Sequence, residues 1–224
     1  MTEPLAVARS PTENVGDLGG EARVLILAGF LAALAGMVDA IGYLRLGHLF
    51  VSFMSGNSTQ LGVAVGGGHL TEAGVIAELI ALFVLGAAAG QVLTGFAGKW
   101  HLTWALVAVA VLLAIAAGLA TSPEPMVLAM GALSASMQRA GKVAVSVTYV
   151  TGTLVKLGQG LGDFLTGRLT GWTWLVQASP WAGLTAGATI GGAAYFRMGG
   201  VAIWVPVLLT CLLAVWSTIV PVPD

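Results

Sequence analysis

Long apolar stretches constrain this chain more than any other feature of its sequence. A helix needs about 20 apolar residues to cross the hydrocarbon core of a bilayer. Only 8% of the 224 residues are charged, against about 25% in a typical soluble domain, so lipid has to cover most of the surface. We therefore predict an all-α integral membrane protein of about six transmembrane helices, at about 23–44, 73–96, 102–120, 125–143, 174–196 and 201–220.

The first 22 residues differ from the rest of the chain in composition. They are polar, contain prolines, glycines and acidic residues, and lack the basic start and small-residue cleavage site of a secretory signal. We expect 1–22 to form a flexible cytoplasmic tail and 23–220 to form a membrane domain. The net charge of −1 gives no basic field that would attract nucleic acid, which is therefore not an expected partner.

Two further segments, 49–66 and 146–166, are apolar at their edges but interrupted by glycine and polar residues. Each pattern is compatible with a polar-lined helix, a broken helix, an interfacial loop, or a re-entrant segment that enters and leaves on one side. Irregular backbone at membrane depth is tolerated only where protein or a wet cavity satisfies its polar groups.

The two interrupted segments are related by an internal repeat with an offset of 96 residues. FVSFMSGNSTQLGVAVG (50–66) aligns with SVTYVTGTLVKLGQGLG (146–162), and the order of apolar runs around them also agrees. The sequence therefore predicts two pseudo-symmetric halves, 23–120 and 125–220. Glycines four residues apart, which let helices approach closely, occur in both halves and predict a homo-oligomer formed through glycine-rich helix faces; they are Gly86, Gly90, Gly183, Gly187 and Gly191.

The distribution of basic residues bears on the topology, because lysine and arginine collect on the cytoplasmic side. If the interrupted segments re-enter, each half has three spans and the halves are inverted; if they span, each half has four and the halves are parallel. The inverted arrangement places only Arg45 and Arg197 outside, whereas the parallel one places three basic residues there. The inverted arrangement, with both termini in the cytoplasm, is favoured because it keeps inside Arg9, Arg23, Lys99, Arg139, Lys142 and Arg168.

Two blocks, GMVDAIGYLRLGHLFVSFMSGNSTQLG (36–62) and SMQRAGKVAVSVTYVTGTLVKLG (136–158), resemble the YoaK family (DUF1275) of small bacterial membrane proteins. The family pattern pairs a V-D-A-x-G-(F/Y)-L and F-x-x-F-M-(T/S)-G-N block with later M-Q and T-(Y/F)-x-T-G-T blocks. The chain departs from it at Arg139-Ala140-Gly141, where an Asn- or Leu-rich turn is expected. The resemblance implies six spans in a bacterial cytoplasmic (inner) membrane and leaves the activity open.

Ionisable residues within the apolar runs need a compensating partner or a function, since a charge at the bilayer centre costs roughly 2.5–3.5 kcal/mol or more. Asp39 lies near the end of the first run, where it is expected to form an ion or proton site, to pair with Arg139, or to reach the interface. Lys156 and Asp163 are seven residues apart and share a face if their segment is helical.

Asn57 and Thr153 occupy equivalent repeat positions, each directly after a glycine that could break or start a helix. Half-helix ends near the midplane hold ions and small solutes in many transporters, whereas the alternative role of small polar residues is to cement helix packing. The predicted solute pathway comprises Asp39, Ser55, Gly56, Asn57, Thr59, Gln138, Arg139, Thr148, Thr151, Gly152, Thr153, Lys156 and Asp163.

Residues typical of enzymes and metal sites are not grouped in this sequence. His48, His69 and His101 all fall at segment ends of the first half, and no cysteine or acidic cluster lies near them at the spacing of metal ligands. A nucleophile such as Ser55 would need a nearby base. We therefore predict no catalytic activity, cofactor or metal, and favour a small-solute or ion transporter or channel. The alternative is a membrane scaffold or accessory subunit without transport activity.

Overall fold

The computed structural model describes residues 11–119, 122–139, 150–169, 171 and 173–219. These residues are helical apart from short connections, and they contain no strand. Each of the six predicted apolar runs coincides with a helix over its described residues, and each interrupted segment contains a further helix. The helices are α1 (Pro11–Arg45), α2 (Met54–Gly66), α3 (Leu70–Phe96), α4 (His101–Gly118), α5 (Glu124–Arg139), α6 (Val150–Leu165), α7 (Ser179–Met198) and α8 (Trp204–Ile219).

The first helix begins earlier than the apolar pattern predicts. α1 starts at Pro11, so residues 11–22, which composition assigns to a flexible tail, continue the helix of the first apolar run. Proline is well suited to the first helical position, because its fixed φ is already helical and its missing N–H has no intrahelical partner there. The hydrophobic pattern of the sequence therefore predicts only the apolar part of α1, from about residue 23 onward.

The helices have the length and composition of membrane spans. Four apolar helical stretches among the described residues are long enough to cross a bilayer: Leu27–Arg45, Leu70–Phe96, Gly98–Gly118 and Trp174–Ile219, the last of which contains both α7 and α8. Large apolar side chains also face outward, with Phe96 89% and Phe196 79% exposed. A soluble monomer rarely exposes such a surface. The chain is a multi-pass membrane protein.

α1 is the central helix of the bundle. Its apolar part is 67% buried, against 28% for α3. Leu34 and Ile41 of α1 pack in one hydrophobic core with Leu106 of α4 and Leu133 of α5, and all four are fully buried. A residue on α1 near this core is therefore surrounded by protein rather than by lipid.

Two helix pairs pack through glycine at backbone contact distance. In the α1–α7 seam, a Cβ added at Gly183, Gly187 or Gly191 would overlap the carbonyl oxygens of Gly29, Ala33 and Met37 in turn. In the α3–α5 seam, a Cβ at Gly86 or Gly90 would overlap the backbone of Leu128 and Ala132. Contacts in both seams advance in the same order along both helices, so the paired helices run in the same direction.

The glycine faces from which the sequence predicts a homo-oligomer are thus buried between helices of one chain. Glycine allows this because the absence of a Cβ lets two backbones meet directly, which maximises van der Waals contact in lipid. A second copy would have to use other surfaces.

The helix of the first interrupted segment is shorter than a bilayer crossing, and so is the described part of the helix in the second. At 1.5 Å per residue, the 13 residues of α2 extend about 20 Å, and the 16 described residues of α6 about 24 Å, whereas the hydrocarbon core is about 30 Å thick. α2 folds back on α3, with Ala64 packed in a small cluster with Ala73 and Ile76.

Candidate solute-binding cavity

The connection between α1 and α2 turns the chain back against the helix that it leaves. Gly47 and His48 both have positive φ angles, of 63° and 75°. This left-handed conformation is uncommon for a residue other than glycine. His48 also donates its backbone N–H to the carbonyl of Tyr43 at 2.9 Å, which closes the end of α1. Loop 46–53 then runs alongside the last turns of α1.

Asp39, six residues before the end of α1, fixes the returning loop. Its Oδ1 accepts the backbone N–H groups of Val51 at 2.8 Å and Ser52 at 2.7 Å, and its Oδ2 accepts the Ser52 hydroxyl. Asp39 and Ser52 are buried. The carboxylate therefore satisfies two loop N–H groups that have no helical or strand partner, which is how a buried irregular backbone becomes tolerable at membrane depth.

Asn57 in the first turn of α2 holds the same loop from the other side. Its Oδ1 accepts the N–H of Phe50 at 3.0 Å, and its Nδ2 donates to the carbonyl of Phe50 at 2.7 Å. Asn57 is fully buried. Both ends of its side-chain amide are thus bonded to the backbone of one residue, Phe50, so Asn57 is a structural residue in this arrangement.

Three aromatic rings line up beside Asp39. The rings of Tyr43 and Phe50 lie 5.0 Å apart, and those of Phe50 and Phe53 lie 5.3 Å apart in an edge-to-face arrangement. A Cβ on Gly56 would come within 2.5 Å and 2.7 Å of the Phe53 ring. Gly56 is therefore required for the position of this ring.

These groups form one wall of a cavity of about 580 Å³. α1 and loop 46–53 supply one side, and the first turns of α6 together with α7 supply the other. Both interrupted segments therefore meet at this cavity. Its lining is mainly apolar and aromatic, and consists of Gly36, Asp39, Ala40, Tyr43, Leu44, Phe50, Ser52, Phe53, Val150, Thr151, Leu154, Trp181, Leu184 and Ala188.

Of the residues predicted to form a solute pathway, the structure brings Asp39 and Thr151 together at the cavity. Ser55, Thr59 and Lys156 lie on exposed helix surfaces outside it. Thr59 and Thr153 use their hydroxyls within their own helices, bonding to the carbonyls of Ser55 at 3.1 Å and Val150 at 2.7 Å. These hydroxyls therefore play the local role that serine and threonine commonly have in helices.

The remaining predicted residues lie elsewhere or outside the described part. Gly152 is half-buried as the third described residue of α6. Asp163 forms an ion pair with Arg168 at 3.7 Å, next to the end of α6. Gln138 and Arg139 end the described part of α5, but their side chains, like the whole of Thr148, lie outside what the structure describes.

The residue-by-residue prediction missed the aromatic wall. Tyr43, Phe50, Ser52, Phe53 and Trp181 all line the cavity. Two sequence signals pointed to them: the repeat pairs Ser52 with Thr148 and Phe53 with Tyr149, and aromatic residues recur through an otherwise polar-interrupted stretch. A search for polar side chains selects hydroxyls and amides, whereas most residues of this wall are apolar.

Comparison with known proteins agrees with the resemblance in the two sequence blocks. A family model described as "Protein of unknown function (DUF1275)" matches residues 27–216. A UPF0700 transmembrane protein of Rhizobium meliloti (strain 1021) is 38% identical over 201 residues, covering 88% of this chain and 87% of the relative.

A second relative, the UPF0700 transmembrane protein YoaK of Bacillus subtilis (strain 168), is 35% identical over 158 residues, covering 64% of this chain and 68% of the relative. No solved structure matches the chain. The family match extends from α1 to α8 and so includes every helix that lines the cavity. The chain belongs to the DUF1275 family of transmembrane proteins, which includes YoaK.

Proposed function

We propose that this protein is a small-solute or ion transporter or channel whose pathway runs through the cavity between α1, loop 46–53, α6 and α7. The observation that carries the proposal is the lining of this cavity by both interrupted segments, with the buried carboxylate of Asp39 among them. An ionisable side chain inside a membrane protein usually marks a substrate or ion pathway. Transporter sites also commonly form where two repeats meet.

The packing of the glycine seams supports a repeat relationship between the halves. Exchanging the halves converts the α3–α5 pair into the α7–α1 pair, and the contacts correspond closely: Gly86 meets Leu128 as Gly183 meets Gly29. Gly90 likewise meets Ala132 as Gly187 meets Ala33. In this register Gln138 is the counterpart of Asp39.

Two further contacts support an inverted relationship between the halves. The hydroxyls of Thr103, near the start of α4, and Ser217, near the end of α8, lie 2.8 Å apart, as expected of antiparallel helices. Arg45 and Gly42 at the end of α1 contact Met126 near the start of α5. Equivalent helices that run in opposite directions are related by an axis in the membrane plane, as in the inverted repeats of transporters.

The same contacts support a re-entrant first interrupted segment. Loop 46–53 descends to the level of Asp39, and α2 then returns to a tight turn before α3, where the N–H of His69 donates to the carbonyl of Ala64 at 2.8 Å. A segment that enters and leaves on one side gives three spans per half. Together with the corresponding segment of the second half, this describes six spans.

The predicted topology has a direct test. Reporter fusions at the N- and C-termini, one active only in the cytoplasm and one only outside it, are expected to report a cytoplasmic location at both ends. The reason is the even number of spans and the six-to-two distribution of basic residues. An external signal from either terminus contradicts this arrangement.

Transport is tested by reconstitution of the full chain into proteoliposomes. We expect solute-dependent currents or swelling with a panel of small cations, anions and neutral solutes, and a loss of at least tenfold in Thr151→Trp, which fills the cavity from an exposed position. Leu165→Trp, at the 74% exposed far end of the same helix, is the matched control and should retain flux. A stable complex with another membrane protein and no flux would favour the scaffold alternative.

A further inference from the structure

We propose that the cavity binds an organic cation, a quaternary or protonated amine or a phosphonium carried on an apolar body. The proposal rests on the proposed function for the location of the site, and extends it by naming the class of solute. Two properties of the lining lead to it: one acidic side chain without a basic neighbour in the described lining, and an adjoining aromatic wall.

The charge of the cavity favours a cation. Among the described residues that line the cavity, Asp39 is the one acidic side chain and none is basic, and Asp39 is buried. The interaction between charges strengthens as the surroundings become less polar. An anionic solute would therefore be repelled by Asp39 without a compensating lysine or arginine in the described lining, whereas a cation would neutralise a charge that is otherwise balanced only by dipoles.

Dipoles of loop 46–53 surround the carboxyl group of Asp39. Oδ1 accepts the N–H groups of Val51 and Ser52, Oδ2 accepts the hydroxyl of Ser52, and the N–H of Phe53 also interacts with the group. A bound cation would add a full opposite charge to these dipoles, which suits the positively charged flank of an ammonium or quaternary centre.

The aromatic wall suits an organic cation better than a metal ion. Tyr43, Phe50, Phe53 and Trp181 line the same cavity as Asp39. Cations are attracted to the faces of such rings by the negative charge density above and below them. Calcium, by contrast, takes six to eight oxygen ligands. The side chains of the described lining carry five, on Asp39, Tyr43, Ser52 and Thr151, and loop 46–53 already engages those of Asp39. A cavity of about 580 Å³ also falls within the range of drug-sized ligand sites.

The test measures selection by charge at constant shape. Radiolabelled methyltriphenylphosphonium is bound to the purified full chain, and neutral triphenylphosphine oxide, which has an oxygen in place of the methyl group, is used as competitor. We expect saturable phosphonium binding and an affinity for the oxide at least tenfold weaker. Absence of saturable binding, or equal affinity for the two molecules, overturns the proposal.

Variants then test whether Asp39 selects for charge and whether the aromatic rings contribute to binding. Asp39→Asn should weaken phosphonium binding at least tenfold while changing the affinity for the oxide less than about twofold. The matched control is Glu72→Gln, an exposed acid paired with His69 at 3.7 Å, which should change neither. If Asp39→Asn changes both ligands equally, the carboxylate does not select charge and the proposal fails.

A second variant guards against misfolding of Asp39→Asn. Phe53 is 41% exposed, so Phe53→Leu should fold; it keeps the apolar contact, removes the ring face, and is expected to weaken phosphonium binding severalfold. Phe96→Leu, at a far more exposed ring outside the cavity, should leave binding unchanged. Equal binding in both phenylalanine variants contradicts a role for the wall.

The ammonium chemistry of the site is available from a free solute or from the headgroup of phosphatidylethanolamine. Binding is therefore repeated in nanodiscs of phosphatidylglycerol with and without phosphatidylethanolamine. Competition by that lipid supports a headgroup as the source of the cation, and unchanged binding supports a free solute.

Binding and flux also separate the two proposals. Charge-selective binding without any flux leaves the cation site standing and overturns transport. Flux that Thr151→Trp abolishes, together with binding that ignores charge, does the opposite.

Discussion

The glycine seams and loop 46–53 bring backbone into equally close contact by opposite physical means. In the α1–α7 seam the contact depends on shape: Gly187 meets the carbonyl of Ala33 directly because no Cβ separates them. In loop 46–53 the contact depends on polar groups: Asp39 accepts two backbone N–H groups, and Asn57 bonds to the N–H and the carbonyl of Phe50.

The two kinds of contact should respond differently to substitution. A seam made of backbone and small residues tolerates no added volume but contains no charge to lose. A loop held by a carboxylate and an amide tolerates some movement of side chains but depends on each acceptor. Both regions border the cavity, because Gly36, Leu184 and Ala188 of the seam also line it. Volume substitutions in the seam should act mainly on folding, and polar substitutions in the loop should act on both folding and binding.

The largest effect is expected at the centre of the α1–α7 seam. Gly187→Val places a branched side chain where even a Cβ overlaps the carbonyl of Ala33. Overpacking a tight contact usually costs about 1–3 kcal/mol, and backbone on the opposing side leaves little room for relief, so we expect the upper end of this range or more. The measurement is the yield of monodisperse protein and its midpoint of unfolding in detergent.

Gly192→Val is the matched control for that substitution. It lies on α7 as well, and a Cβ there meets nothing within 4 Å. Both substitutions change helix propensity equally. A similar loss of stability in both variants would therefore show that the close contact of Gly187 with Ala33 contributes little to stability.

A smaller effect is expected when the loop loses its charge. Asp39→Asn keeps the shape of the side chain but replaces one acceptor oxygen with an NH₂ group. Hydrogen bonds to charged groups contribute about 1.5–3 kcal/mol, so we expect a loss of about 2 kcal/mol in unfolding titrations, together with impaired flux. If growth, expression, stability and flux of this variant all match the wild type, the charge of Asp39 has no functional role.

A still smaller effect is expected at the two repeat glycines that begin α2 and the described part of α6. Gly56→Val would push on the ring of Phe53; because that ring is partly exposed and able to move, we expect a loss of about 1–2 kcal/mol. Gly152 occupies the same repeat register, and Gly152→Val should impair folding or flux to a comparable extent, measured in parallel.

The repeat supplies the control for these glycines. Gly62 and Gly158 are also identical between the halves, and a Cβ on either meets nothing within 4 Å. Gly62→Val and Gly158→Val should therefore be milder than the Gly56 and Gly152 variants. Unequal effects of the latter two would weaken the structural equivalence of the interrupted segments.

Most of the fold could be predicted from the sequence because membrane helices are marked by long apolar runs. All six runs coincide with helices, and the glycine spacing correctly indicated tight packing. The partners of the glycines were not predictable: nothing in Gly183-xxx-Gly187 distinguishes a seam within the chain from a contact between copies. The start of α1 at Pro11 was also missed, since hydropathy does not register a polar helical extension.

The site was predictable only in part, for a related reason. Asp39 and Thr151 stood out by polarity and repeat position, and both line the cavity. Ser55 and Thr59 had the same signals yet lie on the exposed side of α2, because polarity does not determine which way a short helix faces. The partner of Asn57 is the backbone of Phe50, and a backbone partner leaves no trace in residue identity.

The smallest effect is expected at the contact between α4 and α8, which joins the halves by one side-chain hydrogen bond. Thr103 and Ser217 lie 2.8 Å apart near opposite ends of their helices. Such bonds within membranes average about 0.6 kcal/mol in double-mutant cycles. A cycle of Thr103→Val, Ser217→Ala and the double variant should give a coupling of about this size in unfolding titrations. Ser217 also bonds to the carbonyl of Ala214 at 2.7 Å, so the single Ser217→Ala variant loses more than the coupling itself. A coupling indistinguishable from zero would weaken one of the two contacts that support antiparallel packing of equivalent helices, and with it part of the case for inverted halves.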